Sequence, residues 1–190
     1  MLVERALTEN DIPLLATIDR TELIQACYRM DRGELVLYAA HHDMRGWPEG
    51  EAEQDAEALR ACLQRGGWLW GVFDGQALVA AAVVDNRPFH HQGLLMRQLK
   101  FLHVSHSARG SGLGSRLLVL ACEHGRQVGA QALYISATSS RNTVDFTCAM
   151  VADCCSNPMP SCMHRSRWIF TCIDHCVSNG CRVLLPRLFF

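Results

Sequence analysis

Apolar and polar positions along this chain repeat at two periods. Leu113, Leu117, Leu120, Ala121, His124 and Val128 recur every three or four residues. That spacing predicts an amphipathic helix over Gly112–Val128, ended by Gly129 in a left-handed conformation. Glu51–Arg65 carries a similar stripe through Ala52, Leu59 and Leu63. Short apolar or alternating runs predict strands at Leu2–Ala6, Glu34–Tyr38, Trp68–Phe73, Ala77–Asp85, Arg97–Val104 and Ala132–Ser136, with Asp74-Gly75 as a hairpin turn. Thr8, with Asp11 three residues on, predicts the cap of a helix striped by Ile12, Leu14, Leu15 and Ile18. Thr21–Met30 reads as a second helix, His41–Gly50 as a loop broken by Gly46 and Pro48, and Arg141–Phe146 as the start of another helix. This order predicts a mixed α/β fold, one mostly antiparallel central sheet flanked by helices, without repeats or an interdomain linker.

Composition narrows the classes. Of 190 residues, 49% are hydrophobic and 19% charged, which suits a folded domain with its own core and excludes a disordered chain. The net charge of −1 gives no general attraction to nucleic acid or an anionic membrane. Apolar runs such as Ala77–Val84 fall far short of the roughly 20 residues a membrane span needs. The opening MLVERALTEND carries charges where a signal peptide has its apolar stretch, so a soluble, cytoplasmic protein is expected. Of the 18 basic residues only Lys100 is lysine, a skew typical of GC-rich coding.

Chemistry concentrates between Leu99 and Ser115, LKFLHVSHSARGSGLGS. A strand leads through a glycine-rich turn into the strongest helix of the chain. Gly110, Gly112 and Gly114 remove side chains where backbone must approach a ligand. The helix start offers unpaired N–H groups and the positive end of a dipole, and Arg109 adds a fixed charge; together they suit a pyrophosphate. A P-loop is excluded because no Lys follows the last glycine. A dinucleotide fingerprint is excluded by the G-x-G-x-G spacing and the missing acidic ribose ligand.

Arg109-Gly110-Ser111-Gly112-Leu113-Gly114 resembles the R-x-x-G-x-G/A loop of the GNAT N-acetyltransferase superfamily. Leu102-His103-Val104 resembles that family's splayed fourth strand, and Ser140-Arg141-Asn142-Thr143-Val144-Asp145-Phe146 resembles the start of its next motif. His106 stands where the family often has Pro. The resemblance spans residues 1–146 and implies a GNAT-like fold, with acetyl-CoA as acyl donor and a small-molecule or peptide amine as acceptor. It assigns cofactor binding to Leu102, His103, Val104, Arg109, Gly110, Ser111, Gly112, Leu113, Gly114, Ser115 and Asn142. Backbone N–H groups near Leu102–Val104 would hold the pantetheine arm and polarise the thioester carbonyl. A base takes the amine proton, and in this family a Tyr commonly protonates the leaving thiolate.

His103 is the catalytic candidate; by alternation it faces opposite to Leu102 and Val104, as a base or as a packing histidine. Asp85 is a weaker base candidate. His41, His42, His90 and His91 read as solvated loop residues. Trp68 and Trp70 share a strand face and read as core. Trp47 reads as either pocket lining or loop packing.

The chain changes character after Phe146. Cys148, Cys154, Cys155, Cys162, Cys172, Cys176 and Cys181 crowd this stretch, and no Glu follows Glu123. The cysteine spacings, with His164 and His175, give only a weak metal pattern, and no metal is expected. Thr147 stands where the family would place its Tyr, and the sequence beyond it reads as not continuing the helix. One base added ahead of the Thr147 codon restores a family-like string. Position 147 then permits Tyr, the Met150–Val151 junction becomes Gly, and the two codon junctions between Asp153 and Cys155 become Leu. The shifted codons, several of them degenerate, permit Phe-Tyr-Leu-Arg-His-Gly-Cys-Arg-Leu-Leu, which contains the family's F-Y-x-x-x-G pattern. The codons of Arg167–Cys172 permit an alternating strand, and Ile173-Asp174 permits a stop. Residues 1–146 are therefore expected to form the acyl-CoA-binding domain, and 147–190 an out-of-frame, cysteine-rich, poorly packed tail that leaves the C-terminal part of the fold atypical or incomplete. The alternatives are a CoA-binding protein without catalysis, since the acid Tyr is missing, and a cysteine-rich metal or interaction module.

Overall fold

The computed structural model describes residues 1–32, 34–91, 93–156, 169–174 and 182–184. The chain runs β1 (Leu2–Ala6), a 3-10 turn (Glu9–Asp11), α1 (Ile12–Leu15), β2 (Glu22–Asp31), β3 (Glu34–Met44), α2 (Glu51–Gln64), β4 (Trp68–Asp74), β5 (Ala77–His91) and β6 (Leu94–Val104). After a second 3-10 turn (His106–Ala108) come α3 (Leu113–Gln127), β7 (Ala132–Thr138), α4 (Arg141–Ser156), β8 (Ile169–Asp174) and β9 (Arg182–Leu184). Seven strands form one sheet in the order β1-β4-β5-β6-β7-β8-β9, and β2 and β3 form a separate hairpin. Pairing is antiparallel except at β6–β7 and β7–β8. The expected mixed, mostly antiparallel sheet flanked by helices is therefore the observed architecture.

Strand alternation splits the core into two layers. Ala80, Ala82 and Val84 of β5 face α3 and pack with Leu99, Leu117, Leu118, Ala121 and Leu133. Ala81 and Val83 face the other way, onto Ile12, Leu15, Ile18, Leu59 and Phe101 beneath α1 and α2. At the entrance to α1, Arg5 grips both carboxylate oxygens of Asp11 at 2.7 and 2.8 Å, and Asp11 also accepts from the Thr8 N–H and hydroxyl. The Arg5 hydrogen bond holds the Asp11 carboxyl well below the usual carboxylate range. The Thr8/Asp11 cap predicted from sequence thus forms, around a 3-10 turn rather than a longer helix.

The structure corrects three sequence expectations. Thr21–Met30 is a strand, not a helix: β2 pairs antiparallel with β3 from Glu22↔Met44 to Asp31↔Glu34. Leu, Gln, Ala, Arg and Met favour helix locally, but Arg32, at φ +49°, turns the chain so that β3 can satisfy the β2 backbone. The histidines expected in loops lie on strands instead, His41 and His42 on β3 and His90 and His91 on β5. The helix begun at Arg141 does not stop at Phe146. It runs to Ser156: Ala149 and Met150 suit a helix, and the buried Thr147 hydroxyl is satisfied inside it by donating to the Thr143 carbonyl at 2.7 Å. Ile169–Asp174 and Arg182–Leu184 pair at the sheet edge as β8 and β9. The expectation of a poorly packed tail falls, for residues 157–168, 175–181 and 185–190, outside the described residues.

Candidate active site

The β6–β7 pair opens the sheet. The two strands run parallel, and their pairing begins at Met96↔Ala132 and ends at Leu99↔Ile135. Beyond that point β6 continues to Val104 and β7 to Thr138 without bonding each other. The resulting V interrupts the ladder, so the facing backbone groups of the two strands no longer bond each other there. Leu102 and Val104 lie on the α3 side of β6, packed against that core layer.

At the mouth of the V, Ser105 leads into the glycine turn. Gly110 has φ +75° and Gly112 φ +84°, which L side chains rarely adopt, and a Cβ at either would meet nothing within 4 Å. The space above the turn is therefore open. Gly114 is different: a Cβ there would lie 3.4 Å from the Phe146 ring, so this glycine lets α4 pack against α3. Gly112 caps α3 without a side-chain hydrogen bond, and no acidic residue occupies the first turn. Helix geometry leaves the N–H groups of Leu113, Gly114 and Ser115 without partners inside the helix. An open cradle over an uncapped, acid-free helix start fits a diphosphate. The residues present thus fit the implied acetyl-CoA.

The sequence reading misses how this loop is anchored. The His106 N–H donates to the Asp19 carbonyl at 2.9 Å, and the Asp19 N–H donates to Ser105 Oγ at 3.1 Å. His106 Nδ1 lies 2.9 Å from the Thr21 carbonyl, so the histidine that replaces the family's Pro ties the loop to the start of β2. Arg109 donates to the carbonyls of Val104 and Thr21 at 3.2 and 3.1 Å, and its Nη1 lies 3.6 Å from Glu22 Oε2. Asn142 donates to Glu22 Oε1 at 2.9 Å. Two residues predicted to bind cofactor thus converge on Glu22, which the sequence did not single out. Ser140 opens α4: its hydroxyl accepts from the Thr143 N–H at 3.4 Å.

Beside this cluster lies a cleft of about 310 Å³ between β2 and α4, lined by Glu22, Ile24, Gln25, Ser140, Asn142 and Asp145 among others. Tyr28, also unflagged by the sequence, donates its hydroxyl to Asp145 at 2.8 Å; that bond, together with burial, raises the phenol's pKa. Backbone bonds set this wall: the Tyr28 N–H donates to the Ser139 carbonyl at 2.8 Å, and Cys27 bridges Ser140.

The remaining candidates fall into place around the site. The half-buried His103 faces away from Leu102 and Val104, as alternation predicts, but onto the second core layer, with its ring 4.4 Å from Phe101 and 5.7 Å from Trp47. Burial, helped by Arg20 and Arg109, pushes its imidazole down to about 3, so it is neutral at physiological pH. Trp47 donates to the Ile18 carbonyl at 2.9 Å and lies under Arg20, with the guanidinium carbon 4.4 Å from the ring centroid; it packs the loop. Burial alone would raise the Asp85 carboxyl, but Arg65 at 2.8 Å and the Arg87 N–H hold it below its usual value; it anchors β5 within the strand, where the pairing with β6 turns irregular. Trp68 stacks on Trp70 and on His124 at 5.9 and 5.6 Å, half-buried against the α3 core layer. Among the described residues no group of His, Cys, Asp or Glu is arranged to hold a metal, and no helix is long and apolar enough to cross a membrane.

Solved structures share this architecture. A nourseothricin acetyltransferase superposes with a TM-score of 0.56 at 16% identity, over 85% of this chain and 92% of that one. A transcriptional regulator from Bacillus halodurans C-125 gives 0.54 at 17% identity, over 86% and 99%. AAC(6')-Iy, solved in complex with the bisubstrate analog CoA-S-monomethyl-acetylneamine, gives 0.52 at 16% identity, over 79% and 89%. These likenesses speak to fold. No curated protein sequence matches the chain. Residues 34–146, more than half the chain and including the V, the glycine turn and the start of α4, match the acetyltransferase (GNAT) family model, and the chain belongs to that family.

Proposed function

We propose that this protein transfers the acetyl group of acetyl-CoA to a primary amine carried by a small molecule or a peptide. The observation that carries the reading is the pairing of an opened β6–β7 V with an uncapped, positive-φ glycine turn at its mouth. The N–H groups of Leu113, Gly114 and Ser115 would hold the diphosphate, and backbone N–H groups near Leu102–Val104 the pantetheine arm. Acetyl-CoA supplies an activated thioester, so the chain's own tasks are to hold, orient and move protons. Backbone N–H groups near Leu102–Val104 would polarise the carbonyl, an effect worth a few kcal/mol where donors are preorganised. The cleft between β2 and α4 receives the amine. His103 is neutral, the state a base needs, but a conjugate acid near 3 makes it a weak one, and its ring is engaged by Phe101 and Trp47. We assign it a packing role, with the amine proton leaving through water.

The acid is the missing part. The Thr147 hydroxyl is buried and bonded to its own helix. This favours, as a second reading, a chain that binds CoA without efficient turnover. Residues 147–190 read as out of frame, and restoring one base ahead of the Thr147 codon would place a Tyr directly after Phe146. The repaired protein is expected to turn over acetyl-CoA about 10²–10⁴-fold faster with a panel of primary amines. Genomic reads that confirm the frame as it stands end this part of the proposal. Titration of the present chain with CoA in a calorimeter tests the cofactor site itself, and absence of binding refutes it.

A further inference from the structure

Among the described residues, Arg109 of the phosphate turn and Asn142 of α4 meet on the carboxylate of Glu22. Its side chain is 19% exposed, with Oε1 accepting from Asn142 at 2.9 Å and Oε2 lying 3.6 Å from Arg109 Nη1. The second oxygen is therefore within ion-pair range but beyond a hydrogen bond. Arg109 is fixed independently by the Val104 and Thr21 carbonyls, so the carboxylate is not needed to hold it in place. Asp19, the other carboxylate that feels Arg109, is already engaged by the Thr21 N–H at 2.8 Å. A negative charge thus stands against two donors on the margin of a cradle otherwise shaped for an anion: open space over Gly110 and Gly112, no acidic residue in the first turn of α3, and no side chain on its cap.

We propose that Glu22 is an internal counter-anion of the phosphate turn. In the free protein it neutralises Arg109 and occupies Asn142, and it yields both to the diphosphate of an arriving acyl-CoA. This rests on the cofactor reading given above. Glu22 is then a positioning residue that lowers cofactor affinity. A like charge that close to a multiply charged ligand raises its dissociation constant, and the effect shrinks with added salt. The carboxylate so displaced stays on the wall of the β2–α4 cleft.

The test is Glu22→Gln. The amide oxygen keeps an acceptor for Asn142 while the charge is lost, so the thermal midpoint should shift little. Calorimetric titration with CoA should give a dissociation constant about three- to tenfold lower than that of the unaltered chain at low salt. The gain should fade at high ionic strength. In an Arg109→Ala background the same change should give a smaller gain, which a purely structural role for Glu22 would not produce. Equal or weaker binding by Glu22→Gln overturns the proposal, as does a gain that is the same with and without Arg109. Failure of the unaltered chain and the variant alike to bind CoA overturns instead the cofactor reading, and the counter-anion with it.

Discussion

The two ends of α3 are built in opposite ways. The N-terminal end is left unfinished: glycines hold positive φ, the cap lacks a side chain, and the volume above is open. The C-terminal end is closed. Buried Arg97 of β6 reaches the Val128 carbonyl at 3.4 Å and its neighbour's Met96 carbonyl at 3.3 Å, placing a cation where the helix dipole is negative. The Val128 N–H returns to the His124 carbonyl and that of Gly129, at φ +76°, to Arg126, while His124 stacks on Trp68. Where the protein must only be stable, the carbonyls of the helix end are satisfied by the protein itself. At the end proposed to take up an anion, the helix N–H groups are left without a side-chain partner.

The largest expected effect strikes the open end. Gly112→Val should lower CoA affinity by about 100-fold or more, since a β-branched residue is strained at φ +84° and its methyls would enter the ligand's space. Unchanged affinity by calorimetry would remove the distinction between the ends. Next, Arg97→Ala should destabilise the fold by about 1–3 kcal/mol in urea denaturation, through a cavity and an unpaired carbonyl. It should leave CoA affinity untouched; a matching loss of binding would mean the closed end also serves the ligand. Arg109→Ala should weaken CoA binding by only about tenfold, because the backbone donors remain. Its effect should diminish with salt.

The smallest effect is on pH dependence. Burial, and then Arg97, lowers the His124 pKa below its ordinary value. The unfolded chain therefore takes up this proton first as pH falls, so stability present near pH 7 declines below about 6.5, with a slope from this group of at most about 1.4 kcal/mol per pH unit. His124→Gln should flatten part of that slope in denaturant midpoints measured between pH 7 and 5. An unchanged slope would show that the closed end does not hold the histidine neutral.

The open end was legible because its code is local. Positive-φ glycines, the helical stripe from Leu113 and the preceding strand all lie within one short stretch, and φ preferences and periodicity act over a few residues. The β2–β3 hairpin was not legible. Its residues favour helix, and what overrides them is pairing with β3 and with Ser139 and Ser140, far along the chain. Once a helix is assumed there, Glu22 and Tyr28 have no place in the site. His103 was legible in direction but not in surroundings: alternation says which way it points, and only the packing of Trp47 and Phe101 says that it points into a second core layer.

By itself, then, the sequence determined the run of elements from β4 to β7, the hairpin at Asp74-Gly75 and the glycine turn ahead of α3, because each follows from neighbouring residues and their allowed backbone angles. Only the tertiary structure decided that Arg109 and Asn142 close on Glu22, that Tyr28 meets Asp145, and that a cleft opens between β2 and α4. Those partners lie as much as 120 residues apart, and no local preference encodes a carboxylate's distance from a guanidinium contributed by another element.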